Sequence, residues 1–239
     1  MKILVMNAGS SSQKSYLYEI AESLPTFAPT PLWEAQADWT KEENSAELNI
    51  TTAHGHDKQT IDAQSRAQAL DGMLKTLWEG KTKVISQPSE IAMAGHRIVH
   101  GGPHYRESVM ITQAVKDEIN RLAEIAPLHN PVGLEGIEVV EQLLGDIPQV
   151  AVFDTTFHRT IPLKAAVYPG PYAWFEQDIR RYGFHGISHQ YCSRRSAQIL
   201  GLAPVRLINC HLGNGCSLAA IYNGESIDTT MGFTPLEGL

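Results

Sequence analysis

The chain has 239 residues, 43% of them apolar, which is enough for one large domain or two modest ones with a real core. A formal charge of -7 without any basic cluster argues against nucleic acid or an anionic membrane as the main partner. No apolar run approaches the ~18 residues of a membrane span, and Ile3 to Met6 is too short for the apolar region of a signal peptide, so the sequence predicts a cytoplasmic protein without a membrane. Cys192, Cys210 and Cys216 form neither an even set nor a CxxC pair, which predicts buried free thiols and no disulfide framework or zinc site.

Met1 to Ile20 reads as strand, turn, strand, with Tyr16, Tyr18 and Ile20 on one face of a period-2 pattern. Its turn holds Asn7, Gly9, Ser10, Ser11 and Ser12, with Lys14 just beyond. Backbone N–H groups, hydroxyls and a cation at a glycine turn form an anion cradle; the bland alternative is a plain serine-rich hairpin. From Leu32 to Gln59 the chain is polar, with AELNITT the clearest strand and HGHDKQ a turn. Ala67, Leu70, Leu74 and Leu77 recur at helical spacing, and Gly80 stops a helix of about four turns.

Ile91 to Val99 is a buried strand that delivers His96, Arg97 and His100 to a Gly101-Gly102-Pro103 break. Arg97 there either faces a cleft or closes a structural ion pair. Two helices follow, one carried by Ile111, Val115, Ile119 and Leu122 and ended by Pro127, the other by Leu134, Ile137, Val140 and Leu144 and ended by Gly145. Asn130 as N-cap and Pro131 at the first helical position would put His129 where a helix favours an anion; a structural histidine is the alternative. Gln149 to Phe153 is a strand whose C-terminal end presents Asp154, either for metal or acid–base work or as a cap.

Prolines crowd the chain after His158, which places a domain boundary near residues 152 to 160. Ser188 is the expected N-cap of a helix closed by Gly201; His185, lying before that cap, makes a zinc pair with His189 an unfavourable reading. Val205 to Cys210 and Cys216 to Tyr222 are strands joined by a tight turn, His211 to Gly215, and Asn223-Gly224 makes a type I′ turn into Glu225 to Thr230. This second strand, glycine turn, strand unit repeats the first, which predicts two related domains presenting backbone nests to a shared cleft. There is no GxxxxGK[ST] segment.

Six stretches, NAGSSSQK, GHRIVHGG, APLHNP, VFDTTFH, RYGFHGISH and HLGNGCS with GESIDTTMGFTPLEGL, resemble in order the motifs of the acetate kinase family, and GHRIVHGG also resembles the propionate kinases. The resemblance implies an α/β chain with the ribonuclease-H-like two-domain fold of the acetate and sugar kinase/actin superfamily. Residues 1–155 would be the first domain, lacking its C-terminal closing helix, and 156–239 the first part of a truncated second domain. It implies reversible phosphoryl transfer from ATP to acetate, giving acetyl phosphate and ADP, with Mg2+ or Mn2+, in a homodimer. Propionate kinase, or an inert acetate- or phosphate-binding fragment, is the alternative.

Carried over residue by residue, the resemblance puts Asn7 beside the metal, and Ser10, Ser12 and Lys14 beside the nucleotide phosphates. Arg97 would bind the acetate carboxylate and the transferring phosphoryl group. Val99, Leu128, Phe184 and Pro235 would make the methyl pocket, and Asp154 is the acid–base candidate. His185 would hydrogen-bond the phosphoryl oxygens with His129 nearby and His189 in support, while His211, Leu212, Gly213, Asn214 and Gly215 would wrap the ATP phosphates. Leu239 falls inside the last motif, where relatives continue into a GTRSG segment, so the chain as given is expected to be an inactive fragment.

Overall fold

A computed structural model describes residues 1–9, 12–23, 25, 27–40, 44–201 and 205–238. The chain divides into two compact units: Met1–Arg97 with Met110–Asn120 and Leu128–Ala151, and Ile98–Val109 with Arg121–Pro127 and the residues from Val152 onward.

The first unit is built on the opening hairpin, β1 (Lys2–Ala8) and β2 (Ser12–Glu19), paired antiparallel. Strands β3 (Trp33–Asp38), β4 (Ser45–Thr52) and β5 (Gly55–Asp62) extend the sheet antiparallel beyond β2. On the other side β6 (Ile91–Ile98) runs parallel to β1, followed by β8 (Gln149–Phe153) and the short β7 (Val109–Met110), giving the order β5-β4-β3-β2-β1-β6-β8-β7. A parallel neighbour needs a crossover, and helix α1 (Arg66–Lys75) lies in it. Leu4, Met6, Leu17, Trp33, Leu48 and Ile50 on one sheet face pack with Leu70, Met73 and Leu74 of α1 and with Val139 and Val140 of helix α3 (Asn130–Leu144). Burying each large apolar side chain contributes ~1.5–3 kcal/mol. Alternation therefore leaves Asn7 on the face of β1 opposite Leu4 and Met6, away from these helices.

Several expectations are corrected. HGHDKQ is mostly strand: the turn is only Ala53-His54, and β5 pairs with the whole of β4. As the outermost strand it needs no apolar alternation, and its charges guard the open edge. Helix α1 is shorter than four turns because Thr76 N–H and Leu77 N–H bond three residues back, to Met73 O and Leu74 O, tightening the end, while Thr76 Oγ1 accepts from Trp33 Nε1 at 3.1 Å. Helix α2 (Gln113–Arg121) starts after Ile111 and passes into a 3-10 turn, Leu122–Glu124. Asn130 does not cap α3: it lies inside the helix, wholly buried, and donates Nδ2 to Ile119 O at 3.3 Å, leaving His129 at the N-cap position without a side-chain cap bond.

The second unit carries a 3-10 turn (Thr156–Thr160), the short helices α4 (Leu163–Ala166) and α5 (Tyr172–Glu176), helix α6 (Gly186–Leu200), and an antiparallel sheet ordered β11-β10-β9. Its strands are β9 (Arg206–Leu212), β10 (Cys216–Tyr222) and β11 (Glu225–Thr229). Asn223 and Gly224 have φ of 53° and 81°, as a type I′ turn requires. Helix α6 begins two residues before Ser188, with His185 as its N-cap residue, and ends at Gly201 in the left-handed region. The thiols are free but not buried: Cys210 is exposed and the other two are half-buried. Strand β9 turns Asn209 and His211 toward α6, so alternation leaves Ile208, Cys210 and Leu212 on its outer face.

Candidate functional site

In the first unit the sheet register places three sequence-predicted residues in one row. Asn7 of β1 is opposite Lys14 of β2 and level with Arg97 of β6. Paired residues share a face, so an amide stands between two cations on the side not covered by α1 and α3. Arg97 Nη1 donates to Ala8 O at 3.0 Å, which ties the guanidinium to the end of β1. The turn beyond Asn7 is closed by Gly9 N–H on Ser12 O at 2.9 Å, and a Cβ on Gly9 would come within 3.0 Å of that oxygen, so glycine permits the closure. Ser12 is half-buried at the start of β2, and Ser10 lies outside the described residues. Leu128 is 70% exposed and His129 is half-buried beside it.

In the second unit Asp154 is buried at the end of β8, its N–H donating to Ile98 O and its carbonyl accepting from Gly186 N–H, both at 2.9 Å. His185, between Phe184 and that glycine, adopts φ 56°, a conformation that costs a β-carbon residue energy and persists only where the surroundings enforce it. The enforcement is a chain of hydrogen bonds. Asn209 Nδ2 donates to His189 Nδ1 at 2.8 Å, so His189 carries its proton on Nε2 and donates it to Ser217 Oγ at 2.8 Å. Ser217 Oγ also meets His185 Nδ1 at 2.8 Å, and when its hydroxyl donates to that nitrogen the His185 proton sits on Nε2. Burial first, and then the neighbouring imidazoles, lower the His189 pKa to about 3, which keeps the first member of this chain neutral.

His211 stacks on His185 with ring centroids 4.0 Å apart and bonds Ser188 Oγ through Nδ1 at 2.9 Å. Strand β9 runs through His211 and Leu212, so the turn itself is Gly213, Asn214 and Gly215, closed by Gly213 N–H on Gly215 O at 3.1 Å. A Cβ on Gly215 would lie 3.3 Å from the His185 ring. Val99 and Phe184 pack with Met231, while Pro235 is half-buried in a turn. His158 bridges Ser226 Oγ at 2.8 Å and Phe184 O at 2.9 Å, and burial pushes its pKa down to about 4.

Sequence reasoning missed Ser217, Asn209, Ser188 and Met231. Ser217 carried a signal: it shares the inward face of β10 with Ala219 and Ile221, a polar residue on an otherwise apolar alternation.

The Acetokinase family profile matches residues 2–239. The chain belongs to the acetokinase family. It is 63% identical over 242 residues to acetate kinase of Cyanothece sp. and 62% identical over 243 residues to that of Trichormus variabilis, covering 100% of this chain and 59% and 60% of those relatives. Among solved structures, acetate kinase of Porphyromonas gingivalis superposes with a TM-score of 0.85 at 38% identity, and a propionate kinase of Francisella tularensis with 0.87 at 37%, each over 100% of this chain and 59% of the other. The chain thus spans about three fifths of the length of the relatives it matches, and its fold is the corresponding part of their α/β fold. Among the described residues no helix is long and apolar enough to cross a membrane.

Proposed function

We propose that these residues serve an acetate kinase: an acetate oxygen attacks the γ-phosphorus of ATP, the bond from that phosphorus to the bridging oxygen breaks, and ADP leaves with the electron pair. The observation that carries this reading is the Lys14–Asn7–Arg97 row, because phosphoryl transfer needs positioned charge more than covalent help. Lys14 and Ser12 would hold nucleotide phosphates. Arg97 would bind the acetate carboxylate and the moving phosphoryl group. His185, donating from Nε2, would take a phosphoryl oxygen, with His129 and His189 in support, and residues 211–215 would lie along the phosphates. Acetate arrives ionised at neutral pH, so proton traffic at Asp154 would concern phosphoryl oxygens. Val99, Phe184, Leu128 and Pro235 would receive the methyl group.

The metal fits this donor set only in part. Among the described residues no group of three His, Cys, Asp or Glu could hold an ion. Asn7 offers one amide oxygen, which suits Mg2+, an ion commonly held by one or two protein oxygens together with substrate phosphates. When bound, it would neutralise charge on the phosphate oxygens. A cytoplasmic homodimer, divided near residue 155, completes the proposal.

The test is acetyl phosphate formation from ATP and acetate by the 239 residues joined to the remaining two fifths of the Cyanothece relative. Absence of turnover in a folded chimera would remove the reading. In the same protein Val99→Ala should raise the propionate-to-acetate ratio of kcat/KM about tenfold, since one methylene in an apolar pocket is worth ~1–3 kcal/mol; an unchanged ratio takes Val99 out of the pocket. Ser217→Ala should lower kcat roughly ten- to hundredfold while leaving KM within twofold, because His185 loses the partner that fixes its tautomer and position. A change in stability with kcat intact would make Ser217 purely structural.

A further inference from the structure

A cleft of about 70 Å³ in the second unit is lined by four arginines, Arg106, Arg159, Arg180 and Arg181, with Thr155 and Tyr182 among its buried residues, and no Asp or Glu among the described residues lines it. The protein does little to neutralise these cations. Arg106 Nη2 donates to Arg159 O and Arg159 Nη1 donates to Arg106 O, both at 2.9 Å, so carbonyls rather than carboxylates lock the pair side by side. Arg180 stands over Phe175 and Tyr182, 5.7 and 5.9 Å from their ring centroids, and its Nε is buried with no hydrogen-bond partner. Arg181 bonds the carbonyls of Ala165 and Thr229 and reaches one carboxylate, Asp228, at 3.8 Å, which is itself largely in water.

Four guanidinium groups on one cleft repel one another, and a buried N–H without an acceptor is rare enough to need an explanation, of which an absent ion is one. An oxyanion answers both: it accepts from the Arg180 N–H and offsets the shared charge, and arginine forks match its oxygens in pairs. The size admits only a small ligand. We propose that this cleft, which neither Arg97 nor His185 lines, binds a multiply charged oxyanion of phosphate size. Thr155 and Thr156 border the cleft and follow Asp154 directly in the chain.

The experiment is calorimetric titration of the chain with inorganic phosphate at low salt, with acetate as the singly charged comparison. We expect saturable binding in the millimolar range or tighter, at least tenfold weaker for acetate. Arg180→Gln should weaken phosphate binding tenfold or more, and Arg159→Gln, an exposed substitution that leaves the core untouched, at least threefold. Arg97→Gln should leave this binding in place. No saturation below 20 mM phosphate, or binding abolished by Arg97→Gln yet unaffected by Arg159→Gln, overturns the proposal; should Arg180→Gln fail to fold, the Arg159→Gln result alone decides.

Discussion

Arg97→Lys should reduce kcat/KM for acetate by on the order of 10²-fold or more in the completed chimera, while the melting temperature stays within about a degree. The guanidinium is planar and offers five N–H donors in a fixed fork; one of them donates to Ala8 O, and the plane of that fork sets the geometry in which a carboxylate and a phosphoryl oxygen would be met. An ammonium can make the bond to Ala8 O or reach outward, but its point charge cannot reproduce two oriented contacts at once. The loss should appear in kcat as well as KM, since the phosphoryl contact strengthens as charge spreads over the transferring oxygens. A variant with normal turnover and a lowered melting temperature would make Arg97 a strand-end clamp and nothing more.

The second large effect is expected from Gly186→Ala. A Cβ at Gly186 would stand 2.1 Å from the carbonyl oxygen of Asp154 and 3.0 Å from Phe157 Cβ. The first obstacle is backbone, so no side-chain rotation relieves it, and the Gly186 N–H bond to that same carbonyl must break as the helix start moves away. The cost should be about 3 kcal/mol, at the upper end for overpacking, and it falls on the turn that holds His185 in its left-handed conformation. Turnover should therefore fall by ~10²-fold even where the protein remains folded. The urea midpoint and kcat measured on the same preparation decide it: a wild-type midpoint together with wild-type turnover would mean that the close approach is not needed.

Much of this was legible in the residues. The opening hairpin, the strand from Ile91, the strand from Gln149 and the Asn223-Gly224 turn follow from alternation and turn chemistry, and the structure forms each of them. The failures share a cause, which is that local patterns do not show what lies across the fold. Asn130 looked like a cap, yet it is buried against Ile119 O, and Ser188 looked like a cap, yet it serves His211. β5 looked like a turn because an edge strand may be polar throughout. In the candidate site the charged residues were visible from their motifs, but Lys14, Asn7 and Arg97 are adjacent only through strand register, and the Asn209–His189–Ser217–His185 chain joins a helix, its cap and two strands. No spacing rule along the sequence predicts that.

The buried histidines also make folding a proton balance. His96, His100 and His158 have pKa values lowered to about 4, and His189 to about 3, with burial as the leading cause in each. An unfolded histidine titrates near 6.5, so between that pH and about 4 the unfolded chain binds protons that the folded chain refuses. Stability therefore rises with pH across this window and is lost on acidification, each imidazole taking up a proton as its surroundings open. Acid acts here as a ligand of the unfolded state, and one of the four groups through which it acts, His189, is a member of the hydrogen-bonded chain that orders the site.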